Sequence, residues 1–157
     1  MQNKHTNETS AQSITVLDHM DDILQMTDII EAFEELETER ETLSDTLEEA
    51  ETDQEKAEAQ KELDTWDASE SGVNFKLLTD LMDELNGNGG DEQFRGDWFP
   101  SHLIRYSYFE SYMDEMLEDC GDIPKDLPCY LSITVDYKAL AMDYSTVEIN
   151  GIEYMYR

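Results

Sequence analysis

Residues 31–70 run for forty positions without a proline or a glycine. They hold seventeen Asp or Glu and only three basic residues, Arg40, Lys56 and Lys61. The other positions are mostly Leu, Ala, Gln and Thr. Most of these residue types form helices readily, and no breaker interrupts the run. The stretch therefore predicts one long helix or an antiparallel helical pair. Its charge needs an explanation, because like charges on neighbouring turns repel.

The apolar positions set the helical phase. Ile23, Met26, Ile29, Ile30, Phe33 and Leu36 follow steps of three and four, one stripe along a helix. Beyond Arg40 the stripe resumes at Leu43, Leu47, Ala50 and Ala57, then Leu63 and Trp66. From Ile29 to Ala57 it fits a coiled-coil seam interrupted at Arg40 and Gln54, which would suit a homodimer. Thr38-x-x-Glu41 and Thr52-x-x-Glu55 both fit a capping box, so a helix start is expected at either place. A reversal near residues 51–53 would fold the second half onto the first.

Charge excludes several functions. The chain of 157 residues has 39 acidic and ten basic side chains, a net charge of -29. Binding to nucleic acid or to an anionic membrane requires Lys and Arg, so a basic partner surface or cations are favoured instead. No apolar run is long enough to cross a membrane, and the first residues have no apolar core of a signal peptide. Cys120 and Cys129 make no metal motif, which is simplest for a cytoplasmic protein with reduced thiols. A hydrophobic fraction of 39% argues against general disorder. Disorder is expected only for a tail over residues 1–13, followed by an acidic helical region over 14–90 and a compact α+β domain over 91–157.

After a break at Ser69 to Gly72, Phe75, Leu78, Leu81, Met82 and Leu85 mark the inner face of another helix. Asn86-Gly-Asn-Gly-Gly ends it. Trp98-Phe-Pro reads as a turn entry and Leu103 to Tyr106 as a short strand. Tyr108 to Asp119 reads as a helix stopped by Gly121 and Pro124, and Val135 to Met142 as a short helix. Alternating runs around Asn150-Gly151 predict a β-hairpin. The fold class expected is α+β: a long acidic helix or helical hairpin, then helices with a short antiparallel sheet.

The second half resembles a known group through several pieces. These are Gly90-Asp-Glu-Gln-Phe-Arg-Gly-Asp-Trp-Phe-Pro, Leu103-Ile-Arg and Tyr108-Phe-Glu-x-Tyr, then Val135-Asp-Tyr-Lys-Ala-Leu-Ala-Met-Asp-Tyr-Ser-Thr-Val-Glu and Asn150-Gly-Ile-Glu-Tyr. Over about the last 65 residues the chain is similar to small acidic phage and plasmid antirestriction proteins of the ArdA kind. The resemblance implies a dimeric, non-catalytic protein that blocks type I restriction–modification enzymes by presenting duplex-like charge. The long helical front departs from that family's elongated chain of small domains.

Magnitudes make mimicry reasonable. Duplex DNA carries one charge per ~1.7 Å, so a charge of -29 matches about 50 Å of duplex, or about 15 base pairs. A continuous helix over residues 31–70 would span about 60 Å. The candidate partner-binding residues are Glu34, Glu35, Glu41, Glu48, Glu49, Asp53, Glu55 and Glu58. Asp114, Glu115, Glu118 and Asp119 form a second patch. The plainer alternative is a solvated helix face with surplus acid.

Other chemistry has less support. Carboxylate pairs such as Glu34/Glu35, Glu48/Glu49 and Asp114/Glu115 suggest metal, but Ca²⁺ needs a converging loop. The segment Asp83 to Glu92 puts Leu85 at a ligand position and Asn88 where the turn glycine belongs. His5, His19 and His102 stand in no zinc, triad or protease motif, and no phosphate-binding glycine loop follows a strand. No enzyme, cofactor or metal is therefore expected. Trp98, Phe99, Tyr106, Tyr108, Phe109 and Tyr112 are read as core in preference to a binding patch. The function expected is inhibition of a DNA-targeting bacterial defence enzyme, foremost a restriction–modification enzyme. The alternatives are an anti-CRISPR protein and an acidic adaptor for a basic nucleoid protein.

Overall fold

The computed structural model describes residues 21–157. The expected disordered tail over residues 1–13 lies outside them, as do His5 and His19. The protein is α+β, and the described residues form five α-helices, a four-stranded antiparallel sheet and a separate two-stranded one.

Strand β1 (Ile23–Gln25) leads directly into helix α1 (Met26–Glu49). The Met26 N–H, which a helix start leaves without an internal partner, donates to the Ser101 carbonyl at 2.9 Å. Met26, Ile29, Ile30, Ala32 and Leu36 are buried, as the helical period requires. Thr38 starts no helix. It lies within α1, and its hydroxyl donates to the Glu34 carbonyl at 2.9 Å.

The second capping box does form. Helix α2 (Asp53–Ala68) opens with the Thr52 hydroxyl accepting from the Glu55 N–H at 3.1 Å, while the Glu55 carboxylate accepts from the Thr52 N–H at 3.2 Å. The chain therefore reverses at residues 50–52, and α2 packs back on α1. The Arg40 guanidinium holds Asp67 through two bonds, 3.0 and 3.2 Å, and the Trp66 indole donates to Glu39 at 3.2 Å.

Ser69 ends α2 and caps helix α3 (Glu70–Leu85). A Cβ on Gly72 would come within 2.3 Å of the Trp66 carbonyl oxygen and 2.4 Å of that of Asp67. Only a glycine lets α3 begin so close to the end of α2. Phe33 stacks on Phe75, Trp66 tilts against Phe75, and Phe94 meets Phe33 edge-on. One file of rings thus joins all three helices to the strand that follows.

Strands β2 (Glu92–Phe94) and β3 (Asp97–Phe99) form a hairpin. Trp98 and Phe99 end β3, and the chain turns at Pro100 and Ser101 before the next strand begins at His102. Arg95 and Gly96 supply φ of 51° and 86°, the pair of positive angles a two-residue hairpin turn requires.

Strand β4 (His102–Arg105), helix α4 (Phe109–Asp119), helix α5 (Tyr137–Ala141) and strands β5 (Ser145–Ile149) and β6 (Ile152–Tyr156) complete the fold. The larger sheet has the order β1-β4-β6-β5. The β5–β6 turn at Asn150 and Gly151 has φ of 51° and 80°, as Asn-Gly predicts.

Alternation divides the sheet's side chains between two cores. Leu24, Leu103, Val147, Ile149, Tyr154 and Tyr156 join the side chains of α1 and α3. Ile104 and Met155, opposite each other in register, face Phe109 and Met113 of α4, with Leu140 of α5 packed alongside. The sheet is a middle layer between two helical layers. Strand β1 pairs with β4, and the larger core draws on residues from both sides of position 90.

Candidate functional site

The carboxylates follow from the same helical phase that buries the stripe. Glu34, Glu41 and Glu48 are spaced by seven residues, two turns, and so lie in one row with about 10.5 Å between neighbours. Glu35 and Glu49 flank this row, and all five are exposed. Glu31 and Asp45, also exposed, belong to the same face. Sequence reasoning passed over them, although steps of three and four place them there. Burial raises the pKa of the Glu35 carboxyl, with further contributions from Glu39 and Glu31.

Asp53 and Glu58 are exposed on α2. Glu55, although exposed, is engaged within the fold. The backbone N–H groups of Thr52 and Glu51 donate to it and lower its pKa. It is better described as the cap of α2 than as a contact for a partner.

The reversal changes the charge geometry. Residues 37–68 carry thirteen carboxylates and three basic groups, so net -10 lies along a hairpin of about 24 Å. That is about one charge per 2.4 Å, against ~1.7 Å in duplex DNA. The hairpin is shorter than the 60 Å rod expected from a continuous helix, but its linear density is higher.

Several cations are turned to internal use. Arg40 holds Asp67, Lys76 faces Asp80 and Arg105 pairs with Asp22. Arg95 grips Glu37 and lies 4.6 Å from the centre of the Phe94 ring. The Arg95 hydrogen bond lowers the Glu37 pKa, outweighing burial. Except for Lys76 and Asp80, one turn apart in α3, these pairs fasten elements together, and Arg95 also attracts Glu34 and Glu41 of the outer row of α1.

The second patch lies elsewhere. Asp114, Glu115, Glu118 and Asp119 are on α4, which packs on the opposite face of the sheet from α1. The two patches are not one surface. Asp114 also has structural work, since the Tyr137 hydroxyl donates to it at 2.6 Å and that phenol's pKa is pushed up to about 12.

The aromatic residues divide. Phe99 and Phe109 are buried, Tyr108 and Tyr112 partly so, and Trp98 and Tyr106 are exposed. The apolar stripe of α1 from Ile29 to Leu36 lies in the core, so it offers no seam to a second chain.

One small polar pocket, about 250 Å³, is lined by Asp91, Ser101, His102, Tyr112, Tyr144 and Arg157, among others. His102 Nδ1 is 2.7 Å from Ser101 Oγ and its Nε2 is 3.0 Å from Tyr112 Oη. Burial lowers its pKa, against an opposing pull from Asp91. Both ring nitrogens are thus occupied by hydroxyl groups. Among the described residues no group of three or more His, Cys, Asp or Glu is arranged to hold a metal ion. No helix among the described residues is long and apolar enough to cross a membrane.

Comparison with protein-family models, with curated proteins and with solved structures finds no match.

Proposed function

We propose that this protein is a non-catalytic duplex mimic that acts in the bacterial cytoplasm. In this reading it occupies the DNA-binding groove of a DNA-targeting defence enzyme, foremost a restriction–modification enzyme. The observation that carries the reading is the α1–α2 hairpin, whose net -10 over about 24 Å approaches the linear charge density of a duplex. A groove lined with Lys and Arg would exchange one polyanion for another. The bound row is Glu34, Glu41 and Glu48, with Glu35, Glu49, Asp53 and Glu58 beside it. Asp114, Glu115, Glu118 and Asp119 face away from that groove and serve a second contact or solubility.

Such recognition is collective. Neutralising any one carboxylate is expected to change affinity by less than about threefold, the scale of one exposed charge. Reversing Glu34, Glu41, Glu48, Glu49, Asp53 and Glu58 together to lysine is expected to abolish binding. The test is displacement of a fluorescent duplex from a purified type I restriction–modification enzyme, read by anisotropy at stepped salt. Displacement by the protein, lost in the six-fold variant, supports the reading. A duplex that stays bound at a large excess of protein overturns this target, and one carboxylate whose loss alone abolishes displacement overturns collective mimicry.

A further inference from the structure

Strand β5 ends the order of the larger sheet, and only β6 pairs with it among the described residues. At the opposite end β1 has three residues and offers little edge, whereas β5 has five. The hairpin fixes which backbone groups of β5 are open. Across a two-residue turn the flanking residues exchange both hydrogen bonds, and bonded and non-bonded pairs then alternate. Ile149 bonds Ile152 and Val147 bonds Tyr154, so the N–H and C=O groups of Thr146 and Glu148 point away from β6. No backbone–backbone hydrogen bond among the described residues reaches them from elsewhere. Side chains alternate in the same way. Val147 and Ile149 are buried in the larger core, and Thr146 and Glu148 are exposed on the other face. There Glu148 stands directly opposite Glu153, also exposed, and neither carboxylate has a hydrogen bond or ion pair among the described residues. Like charges placed directly opposite each other are unfavourable.

An edge strand with open backbone groups can take up an extended segment as a further strand. We propose that β5 pairs with an extended segment of a partner protein in which Lys or Arg alternates with apolar residues. The basic side chains of that segment lie on the face of Glu148 and Glu153 and offset their repulsion. Its apolar side chains point to the other face, beside Val147 and Ile149, and extend the larger core. Charge decides the occupant. The same edge of a second copy would bring a further Glu148 to the like-charged pair. Within the chain, residues 1–20 hold a single Lys or Arg, Lys4, and supply no such alternation. The edge is distinct from the acidic row of α1, and the inference does not rest on the duplex-mimic reading.

The probe is a short fluorescein-labelled peptide of alternating Lys and Val. Its binding to the full chain is read by anisotropy at about 0.15 M NaCl, where long-range attraction to an acidic surface is largely screened. The control is the same peptide N-methylated at every lysine, which keeps its charge but loses the N–H groups that face β5. The parent peptide is expected to bind at least about tenfold more tightly than the methylated one, because main-chain hydrogen bonds carry the affinity. At saturation it should slow amide exchange at Thr146 and Glu148 of the unaltered protein by at least about tenfold. Glu148→Lys is expected to weaken binding by about tenfold without lowering the melting temperature, since it removes the like-charged pair. Asp64→Lys, the same charge change at an exposed position on α2, is expected to alter binding by less than about twofold. Equal binding of the methylated peptide, or an equal loss in the two variants, shows attraction to acid alone and overturns the proposal. So does amide exchange at Thr146 and Glu148 that the parent peptide leaves unchanged.

Discussion

Single residues in this chain do two kinds of work that share one alphabet, and Glu37 and Glu55 show how the acidic composition conceals it. Each resembles the surplus carboxylates around it, but Glu37 is bound by Arg95 and Glu55 closes the capping box of α2. Thr52→Ala, which removes that box, is expected to cost about 1 kcal/mol in chemical denaturation. No loss on that scale would place the start of α2 under tertiary control instead. Glu37 makes a prediction in pH. Its folded pKa is depressed, so the folded state binds fewer protons than the unfolded chain around the carboxylate range. Its contribution is therefore present above the unfolded value and lost as pH falls through the folded one. Glu37→Gln should lower the melting temperature at pH 7, and the gap should close towards about pH 3. A gap that persists in acid would assign the loss to packing. Glu35 has the opposite sign: its raised pKa makes its charged form unfavourable at neutral pH, a strain relieved on acidification.

At the scale of elements, legibility depended on whether one local rule acted alone. The Asn150-Gly151 hairpin, the inner face of α3 and the cap at Thr52 each followed from a single strong rule, and each formed. Thr38 satisfied the same capping pattern, but it stands inside a continuous helix where its hydroxyl has a carbonyl four residues back. A capping box starts a helix only where the preceding backbone has left helical geometry. Strand β1 was hidden because Ile23 and Met26 suit the helical stripe equally well, and only pairing with β4 separates them. The β2–β3 turn uses Arg95 in a positive-φ position that carries no marker by itself. In the candidate site, exposure of the α1 row was legible from period alone. The opposed placement of the α4 patch was not, because it depends on which face of the sheet each helix covers. These packings also rank the elements. Helix α2 buries only Ala59 and Leu63, whereas α1 and α3 share the main core. Few buried apolar contacts mean a low free energy of local opening. Amide hydrogen exchange should therefore be fastest, among the three long helices, over residues 53–62. Protection there equal to that of residues 29–36 would show that hairpin and core unfold as one unit.

For the whole molecule, the duplex-mimic reading requires the same carboxylates to act on stability and on binding with opposite responses to salt. A net charge of -29 repels itself in the compact state, and the α1–α2 hairpin concentrates that repulsion in its least anchored part. Added salt screens exposed charges over a Debye length of about 10 Å at 0.1 M and about 3 Å at 1 M. Neighbours about 10.5 Å apart in the Glu34–Glu41–Glu48 row are close to the first of these lengths and well beyond the second, so salt in this range screens them from one another. Raising NaCl from about 0.02 to 0.5 M should thus raise the melting temperature by several degrees, on the scale of 1–2 kcal/mol for a domain of this size. Reversing the six hairpin carboxylates to lysine should flatten that rise, because the repulsion salt would screen is already removed. Affinity for a basic groove should fall over the same salt range, as the attraction is screened along with the repulsion. Following melting and duplex displacement through one salt series distinguishes this account from a merely soluble acidic surface. Mimicry requires the two curves to cross in sense and the six-fold variant to lose both slopes. If melting rises with salt while no displacement occurs at any ionic strength, the carboxylates act only on the chain's own stability.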